Sequence, residues 1–97
     1  MVEMYAIYDP VSESVKTPFF IENYASCIRA IADAYNHNLF ADGAKDVELL
    51  SYGLIQNDGN FYPVDTDIYE SNGVLVPKNF GKVFELIKDE SERLKNG

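Results

Sequence analysis

The chain has one cysteine, Cys27, one histidine, His37, and no tryptophan. A single cysteine excludes an intrachain disulfide, and a zinc site would have to be assembled from Cys27, His37 and carboxylates, a poor ligand set. Cys27 is therefore read as a small packing residue of the first helix, in a chain suited to a reducing cytoplasm. One histidine, with no serine or cysteine in a nucleophile signature, gives no basis for a catalytic triad. The six glycines stand singly at turn or helix-end positions, so neither a P-loop nor a dinucleotide-binding fingerprint is present. Asp65-Thr66-Asp67 opens like a calcium loop, but the glycine and distal glutamate do not follow at the required spacing. The expectation is a non-enzymatic chain with no cofactor and no metal.

Long apolar runs are also missing. None approaches the roughly 20 residues that cross a bilayer, and the opening segment carries Glu3 where a signal peptide needs basic residues. The protein is expected to be neither secreted nor embedded in a membrane. Bases are scarce: sixteen acids against eight bases give a net charge of −8, which repels polyanions at long range and argues against indiscriminate binding of duplex DNA. The deficit is uneven. Residues 1–65 hold three bases and ten acids, residues 66–97 five bases and six acids, so any basic surface must draw mainly on Lys78, Lys82, Lys88, Arg93 and Lys95.

What is present is the material of a core. A 97-residue chain that is 46% hydrophobic, with seven Tyr and six Phe, fits one domain over 1–97 that buries roughly two-thirds of its unfolded surface. Residues 2–8 alternate Val2, Met4, Ala6 and Tyr8 with Tyr5 and Ile7, as a strand covered on both faces reads. Asp9-Pro10 begins a turn, and Val15 to Ile21 is extended again, with Pro18 placing that strand at an edge or forcing a bulge. Asn23 then caps a helix over 24–36 whose stripe of Tyr24, Ile28, Ile31 and Tyr35 packs on the sheet. Arg29 and Asp33 pair one turn apart on its outer side.

After a loop to Asp46, Val47 to Gln56 reads as a strand, Asn57 to Asn60 as a hairpin turn, and Phe61 to Val64 as the start of a return strand that Pro63 either makes an edge or interrupts. Asn72-Gly73 predicts a further hairpin, a short β-arm. A last helix is expected from about Asn79 to Lys95, with Phe80, Val83, Phe84, Ile87 and Leu94 on one side and an Asp89–Arg93 pair on the other. The order is ββαβββα: an α+β fold, an antiparallel sheet from hairpins with one helix packed on it and a C-terminal helix.

Aromatics on the second-half strands, Tyr52, Phe61, Tyr62 and Tyr69, precede Lys78 and Lys82. Rings on a sheet beside cations are the physical means of holding single-stranded nucleic acid: bases stack on the rings and cations take the phosphates. Aromatics are also ordinary strand residues, half of which face a core.

In order, Met4-Tyr5-Ala6-Ile7-Tyr8-Asp9, Pro18-Phe19-Phe20, Asn23, Ile28-Arg29-Ala30, Asn36, Asp46, Leu49, Gly53 and Asp58-Gly59 before Phe61 resemble the small non-structural protein of gokushoviruses, single-stranded DNA phages of the Microviridae. The resemblance covers 4–62; it departs at Leu54-Ile55-Gln56, and the arm and helix over 65–97 are not inherited from it. It implies a non-enzymatic bacteriophage protein of the host bacterial cytoplasm, linked to viral genome synthesis and packaging, with Arg29 as a carried-over candidate contact.

The leading expectation is thus a protein that binds single-stranded DNA through Arg29, Tyr52, Phe61, Tyr62, Tyr69, Lys78, Lys82 and Lys88. A second is an acidic interaction module for a replication or capsid protein, where opposite charge steers encounter. A third is a DNA mimic, which would need its acids in rows on one face. A homodimer is expected through Ile68, Tyr69, Val74, Leu75 and Val76, apolar residues in excess of what a short exposed arm needs; the alternative is that the arm folds back on its own C-terminal helix.

Overall fold

A computed structural model describes residues 1–36, 46–64 and 76–96. Six strands form one antiparallel sheet, and two helices lie on one of its faces: β1 (Val2–Asp9), β2 (Ser14–Val15), β3 (Phe19–Ile21), α1 (Tyr24–Asn36), β4 (Glu48–Ile55), β5 (Phe61–Pro63), β6 (Lys78–Lys82) and α2 (Val83–Asn96). The expected α+β class and order are those observed.

The two long strands, β1 and β4, pair down the middle, and each carries two short strands on its free edge. β2 and β3 both pair with β1, while β5 and β6 both pair with β4. The expected second strand is thus two pieces on the same edge, separated at Lys16–Pro18, where proline can supply no ladder donor. The β1–β2 turn is set by Asp9, whose Oδ1 accepts the amides of Val11 at 3.0 Å and Ser12 at 3.4 Å. Although desolvation works against it, those amides, with Ser12 and Lys16, hold the Asp9 carboxyl below its ordinary pKa. At the β4–β5 turn the Asn60 amide donates to Asp58 Oδ1 at 2.8 Å and the Tyr62 hydroxyl to Oδ2 at 2.8 Å.

α1 starts where its cap requires. The amide of Ser26 donates to Asn23 Oδ1 at 2.9 Å, satisfying a donor that the first turn leaves free. Cys27, Ile28 and Ile31 then enter a core with Tyr5 and Ile7 of β1, Val47, Leu49 of β4 and Val83 of α2. Burial pushes the Cys27 thiol up to about 12, with Glu3 adding to it.

The second helix differs from the expectation. It begins at Val83, and Lys78–Lys82 is a strand. Asn79, where the helix was expected to begin, instead accepts the Gly81 amide at 2.7 Å and donates from Nδ2 to Glu48 at 3.1 Å. The first amide of α2, that of Val83, is satisfied by the Val47 carbonyl at 3.0 Å, a tertiary partner that no local signal announces. With Val83 buried, the helical period turns Leu86 and Ile87 inward and leaves Phe84 38% exposed, off the stripe it was assigned to. Arg93 pairs with Glu90, through Nη2 at 2.6 Å and Nε at 3.2 Å, rather than with Asp89. The expected arm at Asn72-Gly73, the loop from His37, and the side chains of Tyr35, Leu94 and Lys95 lie outside the described residues.

Two bulges break the ladders, and both aim side chains. On β4 the register slips between Ser51 and Gly53, leaving Tyr52 as the extra residue. On β6 it slips at Phe80, next to Gly81, whose φ of 101° favours glycine. The β6 bulge lets Phe80 join the helix-facing side, where its ring centroid lies 4.9 Å from that of Tyr24 and 6.4 Å from that of Tyr5.

Candidate functional site

Beyond the end of α1 the helix-facing side of the sheet is left open as a cleft of about 470 Å³, within the range of roughly 300–1,000 Å³ common for small-molecule sites. Strand alternation puts Glu3 on the same face as Tyr5 and Ile7, and the register aligns it with Leu54 and then Tyr62 across the sheet. These three, with Ser51, line the cleft. Pro63 and Val64 continue one wall, Lys78 and Phe80 of β6 form another, and Tyr24 of α1 closes the end.

The polar part of this site is compact. Ser51 is fully buried, and its hydroxyl donates to Glu3 Oε2 at 2.6 Å. Tyr5 Oη is buried beside the same carboxylate and has no hydrogen-bond partner among the described residues. Burial, and then Glu3, raise the Tyr5 phenol far above its ordinary value, so it stays protonated. Burial likewise raises the Tyr24 phenol, followed by Cys27 and the acids Glu90 and Asp89 of α2. Lys78 supplies the cation of the cleft, with Nζ 4.8 Å from the centre of the Phe80 ring. The cleft therefore offers two phenol rings and a phenyl ring, one cation, and one acceptor-only carboxylate fixed by a buried hydroxyl.

Of the residues expected to touch DNA, the fold brings Tyr62 and Lys78 together here. The others fall elsewhere. Phe61 pairs with Ile55 on the opposite face and is 40% exposed. Lys82 stands across from Glu48 on that same opposite face. Tyr52 is half-buried at the β4 bulge. Arg29 is exposed on α1 and Lys88 on α2; the charge of Arg29 bears on Glu90, whose carboxyl is held down first by the Arg93 hydrogen bond and then, against desolvation, by the charges of Arg93 and Arg29. Tyr69, Ile68, Val74 and Leu75 lie outside the described residues, and Val76 is 40% exposed.

The sequence reading missed Glu3, Ser51, Leu54, Tyr24 and Phe80 as site residues. Glu3 carried a usable signal, an acid at a helix-facing position of an otherwise apolar strand. Among the described residues no cluster of three His, Cys, Asp or Glu side chains could hold a metal ion, and no helix is long and apolar enough to cross a membrane.

The molecule is thus a small α+β protein whose antiparallel sheet bears two helices and an aromatic-walled cleft on one face. A family model described as Phage ORF5 protein matches residues 2–72, and the chain belongs to that family. No curated protein and no solved structure matches it. Lys78 and Phe80 lie beyond the matched residues, so this chain's own C-terminal part completes the cleft.

Proposed function

We propose that this phage protein binds single-stranded DNA without catalysis, in the cytoplasm of the infected bacterium, and assists genome synthesis or packaging in a phage of the gokushovirus type. The observation that carries this reading is the convergence of Tyr62, Phe80 and Lys78 on one open cleft. Each base stacked on an aromatic ring contributes about 1–3 kcal/mol, and a lone cation suffices to take one phosphate. The net charge of −8 fits a confined contact rather than a long basic track. A homodimer belongs to the same reading, because two short sites linked in one particle hold a strand better than one.

The test is a titration of labelled single- and double-stranded oligonucleotides at low and moderate salt. Preferential binding of single strands, weakening with salt by a slope of about −0.7 for each phosphate neutralised, supports the proposal. No binding at low salt refutes it.

A second reading draws on the β2–β3 edge, where Val11, Val15 and Phe20 are 76%, 48% and 53% exposed among the exposed acids Glu13 and Glu22. Apolar side chains flanked by acids suit a basic protein such as a phage replication or capsid component. Loss of partner capture on changing Phe20 to Ser, with oligonucleotide binding absent, would favour it.

A further inference from the structure

Resting on the single-strand reading, we infer that the cleft is a nucleobase pocket that selects an unpaired guanine, with Glu3 as the residue that reads the base. The floor of the cleft holds a carboxylate, a group with acceptors only. Ser51, fully buried, donates to Glu3 Oε2 at 2.6 Å and so restrains that oxygen at the base of the cleft. Tyr5 Oη, buried and unpartnered among the described residues, lies beside the same group.

A fixed acceptor pair selects among the bases by the edge each presents. Guanine offers two adjacent donors, N1–H and the 2-amino group, which match both carboxylate oxygens. Adenine and cytosine each set a ring-nitrogen acceptor beside their amino group, and thymine flanks its single N–H with two carbonyls; all three bring a lone pair against the carboxylate. A base seated on Glu3 has Leu54, Pro63 and Phe80 as apolar walls, and Lys78, at the Phe80 ring, is placed for the adjoining phosphate. An acid inside a DNA site is otherwise a liability, since it repels every phosphate; as a base reader it has a use.

The experiment measures fluorescence anisotropy of the full chain with a labelled dT tract carrying one central dG, dA, dC or deoxyinosine. The expected result is about tenfold tighter binding of the dG strand than of the uniform dT tract, with most of the gain lost for deoxyinosine, which lacks the 2-amino group. Glu3→Gln brings the dG-to-dT affinity ratio to about one and, by removing a charge that repels phosphate, tightens dT binding; circular dichroism and urea unfolding of the variant show that it folds. If Glu3→Gln does not fold, the deoxyinosine comparison on the unaltered chain reads the same contact. Equal binding of all four strands overturns the guanine pocket while leaving single-strand binding in place. No binding of any strand overturns both.

Discussion

Replacing Gly53 by Ala tests the bulge that shapes the cleft. Gly53 has φ of 150°, and a Cβ built there lies 2.3 Å from the Tyr62 carbonyl oxygen, 2.8 Å from the Phe61 ring and 3.0 Å from Pro63 Cα. Two of these neighbours are backbone, so the strand itself must move. Adopting such a conformation with an L side chain costs about 1–3 kcal/mol, and overpacking costs about 1–3 kcal/mol more. The expected loss is therefore about 2–6 kcal/mol, a large share of the stability of a chain this size. Gly59→Ala is the control: its φ of 85° is also unfavourable for alanine, but nothing lies within 4 Å of the added Cβ, so only the conformational cost of about 1–2 kcal/mol applies. Urea unfolding of the two variants, with midpoints compared at equal slope, separates steric from conformational cost. Equal losses for both, or a Gly53→Ala change under about 0.5 kcal/mol, would refute the close approach of β4 and β5.

Other consequences follow from the core and its turns. Ile28→Ala or Ile31→Ala, at 2% and 5% exposure, should each cost about 2–5 kcal/mol in the same unfolding assay. Tyr5→Phe should be neutral or slightly stabilising, because it deletes a buried hydroxyl that lacks a partner among the described residues; a loss above about 1 kcal/mol would mean the hydroxyl is satisfied. Cys27, with its thiol pushed up to about 12, should react with a thiol reagent at pH 8 only as fast as the chain opens, and immediately in denaturant. Asp58 has a folded pKa lowered first by the Asn60 amide and then by the Tyr62 hydroxyl. Its contribution is thus present above the unfolded value and lost as pH falls through the folded one, so the stability gap between the native chain and Asp58→Asn should close on acidification.

Much of the fold was legible because its signals are local. The alternation of Val2 to Tyr8, the Asn23 cap with Ile28 and Ile31 behind it, and the Asn57 to Asn60 turn each act within a few residues of themselves. What misled was a local signal with a distant use. Asn79 has the chemistry of a cap but is taken by Glu48 and the Gly81 amide, and α2 starts only where the Val47 carbonyl meets Val83. The site was harder still. Tyr62 and Lys78 were identifiable as an aromatic and a cation, yet their meeting with Glu3 depends on register across β1, β4 and β5 and on the β6 bulge that turns Phe80 inward. Pairing register between strands so far apart in sequence is not written in any one of them. The same register sends Phe61 and Lys82 to the opposite face, dividing a set of residues that composition alone grouped together.

Whether the cleft takes a single DNA strand is read residue by residue in a heteronuclear NMR titration of the chain with an unlabelled strand of about 12 nucleotides. The amides of Ser51, Leu54, Tyr62 and Lys78 should shift together along one saturating curve, with those of Arg29 and Lys88 unmoved. Shifts confined to the two helices or to the Phe61 face, or none at millimolar strand, would contradict it.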